Sequence, residues 1–260
     1  MNRAFFDCLH SEWLKQRRSL AIWMVIAGAF FTPVIVLAAR LLHRDSLPSL
    51  YSSAAFWTSL WRSSWESAAV FLLPMGAVFA TSLIAQIEYR NNTWKQVHAL
   101  PLSTATIYCA KLAIILAMLA LFFVLFNLGI WLSAVVPALL PGVPYPVAPL
   151  PIADFLRDDL LFYVDCLPIV ALQYLLALRF RHFLVPLGAG FLLWVATLGA
   201  LPWRWGSLSP YAYPILDYLK NETVTKAASP IFDIHALALG YFLLFAIGGY
   251  GLFATRRMKG

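Results

Sequence analysis

Charged residues are scarce in this sequence. Only 12% of its 260 residues are Asp, Glu, Lys or Arg, whereas 62% are hydrophobic. Ordinary soluble domains carry roughly a quarter charged residues, and their interiors are too small to bury so large an apolar share. Small soluble proteins can also have strongly apolar cores, so the lengths of the uninterrupted apolar runs must decide between a soluble and a membrane protein.

The motifs of several enzyme classes are also missing. No Gly-Lys dipeptide occurs, which excludes the P-loop that cradles ATP phosphates. No His is followed by Glu and no Ser stands in a GxSxG pattern, so the helical zinc-protease motif and the nucleophile elbow are both absent. The three widely spaced cysteines predict neither a disulfide framework nor a metal site. We predict that the chain is not an enzyme and binds no cofactor itself.

The net charge of +7 raises the question of a nucleic-acid partner. A nucleic-acid module would gather its Lys and Arg on one polar face. In this chain the basic residues stand between apolar runs, so we expect no nucleic acid as a partner.

Six apolar runs are long enough to cross a bilayer, for which a helix needs roughly 20 residues. Such runs must be helical, because a spanning segment satisfies its backbone hydrogen bonds internally and these runs lack the alternation of barrel strands. The predicted fold is an all-α integral membrane protein with one transmembrane domain over residues 1–260. The runs lie at about 19–42, 66–87, 104–136, 160–179, 183–201 and 233–254.

The distribution of Lys and Arg predicts the orientation of the spans, because cytosolic loops carry an excess of both. Basic residues gather before the first run, between the second and third, between the fourth and fifth, and after the sixth. Both termini are therefore predicted to be cytosolic. Arg17 and Arg18 also allow a twin-arginine export signal, but the following run exceeds the roughly 7–15 apolar residues of a cleaved signal. We interpret that run as the first span.

Two segments outside the spans are patterned. Residues 1–18 place Phe5, Phe6, Leu9, Trp13 and Leu14 at helical spacing, which predicts an amphipathic helix lying in the membrane interface.

Between the second and third runs, Trp94, Val97 and Leu100 recur every third residue. Pro101 then stops the segment, and Ser103 or Thr104 can cap the following helix. This pattern predicts a short helix on the cytosolic membrane surface.

These two segments resemble the permease subunits of ABC-2 type exporters, particularly the compact permeases of lantibiotic immunity and bacitracin resistance. One segment is similar to that family's E-x-x-K-x-x-R-S pattern and reads Ser11, Glu12, Trp13, Leu14, Lys15, then Arg17, Arg18 and Ser19. The other is similar to the T-W-K, L-P-x-S and K pattern and reads Thr93, Trp94, Lys95, then Leu100, Pro101, Leu102, Ser103 and Lys111.

The resemblance implies a six-span permease of the type V exporter kind, in the bacterial cytoplasmic membrane. The N-terminal helix would be its connecting helix, with Glu12, Trp13, Lys15, Arg17 and Arg18. Residues 88–103 would be the coupling helix that docks a separate ATPase dimer, through Glu88, Arg90, Thr93, Trp94 and Lys95. ATP and Mg²⁺ would bind that partner, and membrane lipids would surround the spans. For Trp94 alone, a simple anchor at the lipid headgroups is the alternative.

The resemblance also implies that a second permease, identical or paralogous, completes the translocation path. The exported substrate would be an amphiphile such as a peptide antibiotic, a lipid-like molecule or a drug. Short re-entrant helices are implied between residues 202 and 232. Two other classes stay open: an intramembrane enzyme that processes lipid or isoprenoid, which needs paired carboxylates or His, and a noncatalytic assembly subunit.

Polar groups inside the spans are the candidates for the substrate path, because a central charge costs about 2.5 to 3.5 kcal/mol. They are Asp165, Gln173, Asn127 and Glu66. Asp165 would pair with a cationic substrate group, or with Arg62 or Arg157. Alternatively, it simply reaches the external interface together with Asp158 and Asp159, and Glu66 stands similarly at the mouth of its span.

Two connecting regions carry unusual compositions. Phe56, Trp57, Leu60, Trp61 and Trp65 form a stripe at helical spacing, which predicts an interfacial helix with aromatic membrane anchors. The proline-rich stretch from Pro137 to Pro151 predicts stiff extended chain.

Overall fold

A computed structural model describes residues 2–90, 102–180, 182–220 and 232–255. Every regular element in these ranges is helical, as the apolar runs predict. Ten α-helices are numbered here in chain order: α1 Asn2–Gln16, α2 Leu20–Leu42, α3 Leu47–Tyr51, α4 Phe56–Ser67, α5 Leu73–Arg90, α6 Thr104–Val135, α7 Ile152–Arg179, α8 Leu184–Ala200, α9 Tyr213–Lys220 and α10 Ile234–Ala254.

Five stretches of the described chain are long and apolar enough to cross a membrane. They are Leu20–Leu42, Phe56–Ile87, Thr104–Leu139, Ile152–Arg179 and Ile234–Ala254. The predicted run at 183–201 forms α8, whose 17 residues give about 26 Å of helix, slightly less than a bilayer core of roughly 30 Å. The all-α membrane fold is confirmed, and the count of six spans stays a prediction.

Successive long helices run in opposite directions. One end of the bundle, called the α1 end, holds α1, the start of α6 and the finish of α10, where the Tyr108 hydroxyl donates to the Ala246 carbonyl oxygen at 2.8 Å. The opposite end, called the far end, holds the finish of α2 and the start of α10. There Nη1 of Arg40 donates to the Ser133 carbonyl oxygen at 3.1 Å.

The second stretch that could cross the membrane begins at Phe56 rather than at residue 66. The reason is that α4 continues into α5 through one turn of π-helix. This turn spans Ala68–Leu72 and ends two residues before Pro74. Proline has no N–H, so the carbonyl of Val70 loses its usual partner four residues later. The indole N–H of Trp194 in α8 donates to that carbonyl at 2.9 Å. The proline therefore leaves an acceptor that ties α8 to α5.

The aromatic stripe on α4 is buried, which corrects the prediction of membrane anchors. Trp65 is fully enclosed and stacks on Phe162 of α7 at 4.5 Å between ring centroids, and Trp61 stacks on Phe155 at 5.2 Å. The spacing of the stripe indicated a helix with one apolar face. It could not reveal that α6 and α7, rather than lipid, cover that face.

The proline-rich connector forms one short 3-10 turn, Pro137–Leu139, and is otherwise without regular structure up to Pro151. The backbone of this connector contacts α4: the indole N–H of Trp57 donates to the Ala148 carbonyl oxygen at 2.8 Å. The extended conformation predicted for this stretch stays a prediction.

Replacing Trp65 by Ala should lower the free energy of unfolding by about 3 to 5 kcal/mol, because the large buried ring leaves a cavity among Phe123, Phe126 and Phe162. Trp23→Ala on α2 is the matched control, since that side chain is 65% exposed. Denaturant unfolding of the detergent-solubilised chain measures both. Equal losses in the two variants would show that Trp65 is not a core residue.

Candidate functional site

A buried ion pair joins α1 to α6. The Oε2 atom of Glu12 lies 2.6 Å from Nζ of Lys111, and both side chains are almost completely enclosed. The second carboxylate oxygen, Oε1, lies 2.5 Å from Nζ of Lys15, which is partly exposed. One carboxylate thus stands between two ammonium groups, and only one of these belongs to its own helix.

The buried face of α1 is the one that carries this carboxylate. Cys8, Glu12 and Gln16, each four residues apart, point into the protein, whereas Phe6 and Leu14 are exposed. The apolar stripe predicted for the N-terminal helix therefore faces outward, where a membrane interface would cover it. Glu12 faces α6 instead, from the side of α1 that carries no residue of the predicted apolar stripe.

Electrostatics favour the charged form of Glu12. Burial alone would raise the pKa of this carboxyl, but the charge and hydrogen bond of Lys111, together with those of Lys15, lower it below its ordinary value. Burial raises the pKa of the neighbouring Cys8 thiol, so this thiol stays protonated. The ion pair is therefore a fixed charge contact at neutral pH.

Lys111 lies in the second turn of α6, close to where that helix begins. Ser103 caps α6 by accepting a hydrogen bond from the Thr106 backbone N–H at 3.1 Å, as the sequence predicts. The segment between α5 and α6 therefore leads directly into the helix that carries the ion pair. At its other side, Nε2 of Gln86 in α5 donates to the Phe180 carbonyl oxygen at 3.2 Å, which ties the segment's start to the link between α7 and α8.

Most of the predicted coupling segment lies outside the described residues. Thr93, Trp94 and Lys95 belong to this part of the chain, and the structure gives only the backbone of Glu88 and Arg90, in the last turn of α5. Of the connecting-helix residues, Glu12 is buried, Trp13 and Lys15 are partly or largely exposed, and Arg17 and Arg18 are exposed just beyond the end of α1.

The four residues predicted for a substrate path do not form one site. Asn127 donates from Nδ2 to Oδ2 of Asp159 at 2.9 Å, which links α6 to α7. Gln173 donates from Nε2 to the Pro186 carbonyl oxygen at 2.7 Å. Glu66 lies on the exposed side of α4. Asn127 and Gln173 thus make contacts between helices, and their role in transport stays a prediction.

Asp165 is completely buried, which corrects the alternative that it reaches the external interface with Asp158 and Asp159. Its Oδ1 atom lies 2.9 Å from Nδ1 of His235 in the first turn of α10, a partner that differs from the predicted Arg62 and Arg157. The two residues are 70 positions apart in the sequence. A His at the start of an apolar run was the only sequence signal.

The pair of Asp165 and His235 is the kind of feature that an intramembrane enzyme would need. The second ring nitrogen of His235, however, faces Asp217 and Lys220 rather than a hydroxyl or thiol nucleophile. Among the residues that the structure describes, no hydroxyl or thiol contacts this histidine.

A family model described as "ABC-2 family transporter protein" matches residues 8–197. The match covers more than half of the chain, from the buried face of α1 to the last turn of α8. The chain belongs to the ABC-2 transporter family. It is a membrane-spanning subunit of a transporter, and the permease resemblance of its two patterned segments is confirmed. No individual curated protein matches the chain.

The region matched by the ABC-2 model includes both members of the ion pair and the whole segment between α5 and α6. Asp217 and His235 lie beyond it. Members of this family are membrane components of transporters and generally carry no catalysis of their own, which agrees with the absence of nucleotide-binding and hydrolase motifs in the sequence.

Glu12→Gln should destabilise the attachment of α1 by about 3 to 5 kcal/mol, because it removes the carboxylate charge that lies 2.6 Å from the buried Lys111 ammonium. Asp7→Asn is the matched control, since that carboxylate is exposed on the same helix. Protease accessibility of α1 in detergent and the unfolding free energy measure the effect. Equal protection in the two variants would argue against an anchoring role for Glu12.

The same contact predicts a pH dependence. The pKa of Glu12 is lower in the folded chain than its ordinary value of 4.5, so its stabilisation is complete above that pH and is lost as the pH falls further through the lowered folded value. The stability difference between the parent chain and Glu12→Gln should therefore shrink below about pH 4.5. Unfolding curves recorded at pH 7 and at pH 3.5 test this, and a constant difference would contradict it.

Proposed function

We propose that this ABC-2 subunit is the permease of an ATP-driven exporter and receives its energy from a separate ATPase dimer through residues 88–103. The observation that carries the proposal is the buried pair between Glu12 and Lys111. It joins the helix that follows the docking segment to the N-terminal helix on the membrane surface. A displacement of the segment would thus reach α1 and α6 together.

The ion pair lies close to the docking segment along α6. Lys111 lies seven residues beyond Thr104, the first residue of α6, which is about 10 Å along the helix axis. A helix transmits a push along its axis with little compression, because each turn is held by backbone hydrogen bonds. The ion pair then resists sliding of α6 past α1, since separating buried charges is expensive. We infer that α1 tilts with α6 when ATP binds to the partner.

An apolar cavity supports an amphiphilic substrate. It measures about 270 Å³ and lies between α2, α5 and α6, with Gly28, Phe31, Phe71 and Phe122 in its wall. Among the described residues that line it, Thr81 is the only one with a polar side chain. A space of this chemistry accepts an acyl chain or an apolar side chain rather than a sugar or an ion. A peptide antibiotic, a lipid-like molecule or a drug would each present such a group.

The least enclosed spans favour a second permease in the complex. Only 17 to 22% of the apolar windows of α2 and α10 is buried within the chain, and their outer faces would meet either lipid or an identical or paralogous subunit. We infer that two such chains form the path. The excess of basic residues at the α1 end supports cytosolic termini in a bacterial cytoplasmic membrane.

Loss of ATPase association tests the docking segment. Trp94→Ala and Glu88→Lys should each abolish co-purification of the partner ATPase, because the first removes an aromatic anchor and the second reverses a charge. Trp203→Ala is the matched control, since this Trp is exposed and lies near the far end. Unchanged association in both docking variants would remove residues 88–103 as the docking segment.

A further inference from the structure

Three side chains from three helices meet at the far end. They are Asp165 of α7, Asp217 of α9 and His235 of α10, and one ligand atom from each lies within 4.8 Å of the others. This mixture of imidazole and carboxylate groups is the ligand set of many zinc sites. Neither α9 nor α10 is involved in the docking segment or the ion pair described above.

The start of α10 holds His235 in place. Asp233 is the N-cap of this helix, and its carboxylate accepts from the backbone N–H groups of His235 and Ala236 at 2.8 and 3.1 Å. The position of the imidazole is thus fixed by the first turn rather than by a flexible loop.

The hydrogen bond to Asp165 orients the imidazole. A carboxylate oxygen 2.9 Å from Nδ1 favours the tautomer with its proton on Nδ1, which leaves the lone pair on Nε2. Metal-binding histidines generally donate their second ring N–H to a carboxylate in this way. Asp165 therefore stands where the orienting carboxylate of a metal ligand would stand.

Asp217 faces the unprotonated nitrogen. Its Oδ1 atom lies 3.6 Å from Nε2 of His235. Two ligands of a tetrahedral zinc ion, at bond lengths of about 2.0 to 2.2 Å, are separated by roughly 3.4 Å. A single ion can therefore reach both atoms with small adjustments of the two side chains.

Asp165 also has an unsatisfied atom. Its Oδ2 is buried and has no hydrogen-bond partner among the described residues, and the whole side chain is 0% exposed. A buried carboxylate oxygen without a partner is expensive, and positive charge nearby reduces this expense. This atom therefore favours positive charge within the cluster.

A lysine ammonium lies beside the proposed ion position. Nζ of Lys220 is 3.4 Å from Oδ1 of Asp217 and 3.5 Å from Nε2 of His235. An ammonium offers donors only and cannot ligate a metal while it is charged. Its side chain is 41% exposed, so it can withdraw into the adjoining cavity of about 670 Å³. Lys220 is therefore a competitor for the site.

We propose that His235 and Asp217, with Asp165 orienting the imidazole, bind one divalent transition-metal ion such as Zn²⁺ at the far end of the bundle. The nitrogen ligand favours Zn²⁺ over Ca²⁺ or Mg²⁺, which prefer oxygen alone. Water fills the remaining positions from the adjoining cavity. The bound ion links α9 to α10 and, through the imidazole, to α7.

A metal-binding measurement on the purified full chain tests this proposal. The full chain is purified without a polyhistidine tag. Zn²⁺ is then titrated into it in competition with a chromophoric chelator. We expect one ion per chain, and Co²⁺ should give the visible absorption bands of a tetrahedral site. His235→Ala and Asp217→Asn should abolish binding, and Asp165→Asn should weaken it about 10- to 100-fold.

Lys220→Met gives the opposite result and does not disturb the core. Removing the competing ammonium should tighten Zn²⁺ binding, whereas loss of a merely structural lysine would leave it unchanged. His43→Ala, an exposed histidine that lies near the finish of α2, should bind as the parent chain does. Absence of stoichiometric binding, parent-like binding by His235→Ala, or unchanged binding by Lys220→Met would each overturn the proposal.

Discussion

The buried carboxylate of Glu12 lies between the ammonium groups of Lys111 and Lys15. Burying the carboxylate without an opposite charge would be costly. Its contact with Lys111 defines how α1 sits on α6, because the rest of the buried face of α1 is small. A buried ion pair adds little stability compared with apolar packing, but removing one partner is costly. It therefore acts mainly by fixing one arrangement of the two helices. In a transporter subunit this is the property that lets motion at the membrane surface pass into a span.

Elsewhere the helices are joined by polar groups that the membrane would otherwise leave unsatisfied. The carbonyl of Val70, released by Pro74, accepts from Trp194, and Gln173 reaches the Pro186 carbonyl near the start of α8. Apolar packing between helices gains little when lipid is the alternative, so such contacts determine which helix is the neighbour of which. These two hydrogen bonds also join α8, the shortest of the long helices, to its neighbours.

Sequence reasoning was strongest where one physical constraint dominates. Run length predicted the membrane helices, and the side chain of Ser103 predicted the start of α6, because both depend on local backbone hydrogen bonding. It was weakest where the covering surface had to be known. The stripe that includes Trp61 and Trp65 fits lipid and protein equally well by spacing alone, and only the positions of α6 and α7 decide between them. The role of Trp94 stays a prediction for the same reason.

The amino-acid sequence by itself determined that this chain is a helical membrane protein, which helices are amphipathic, and which family it belongs to. These properties follow from composition, periodicity and short local patterns. Only the tertiary structure decided that Glu12 meets Lys111 and that Asp165 meets His235. The members of each pair are far apart in the sequence. A buried charge therefore indicates that a partner exists, but the sequence does not indicate which residue it is. The partner follows from how the helices pack, which no local pattern encodes.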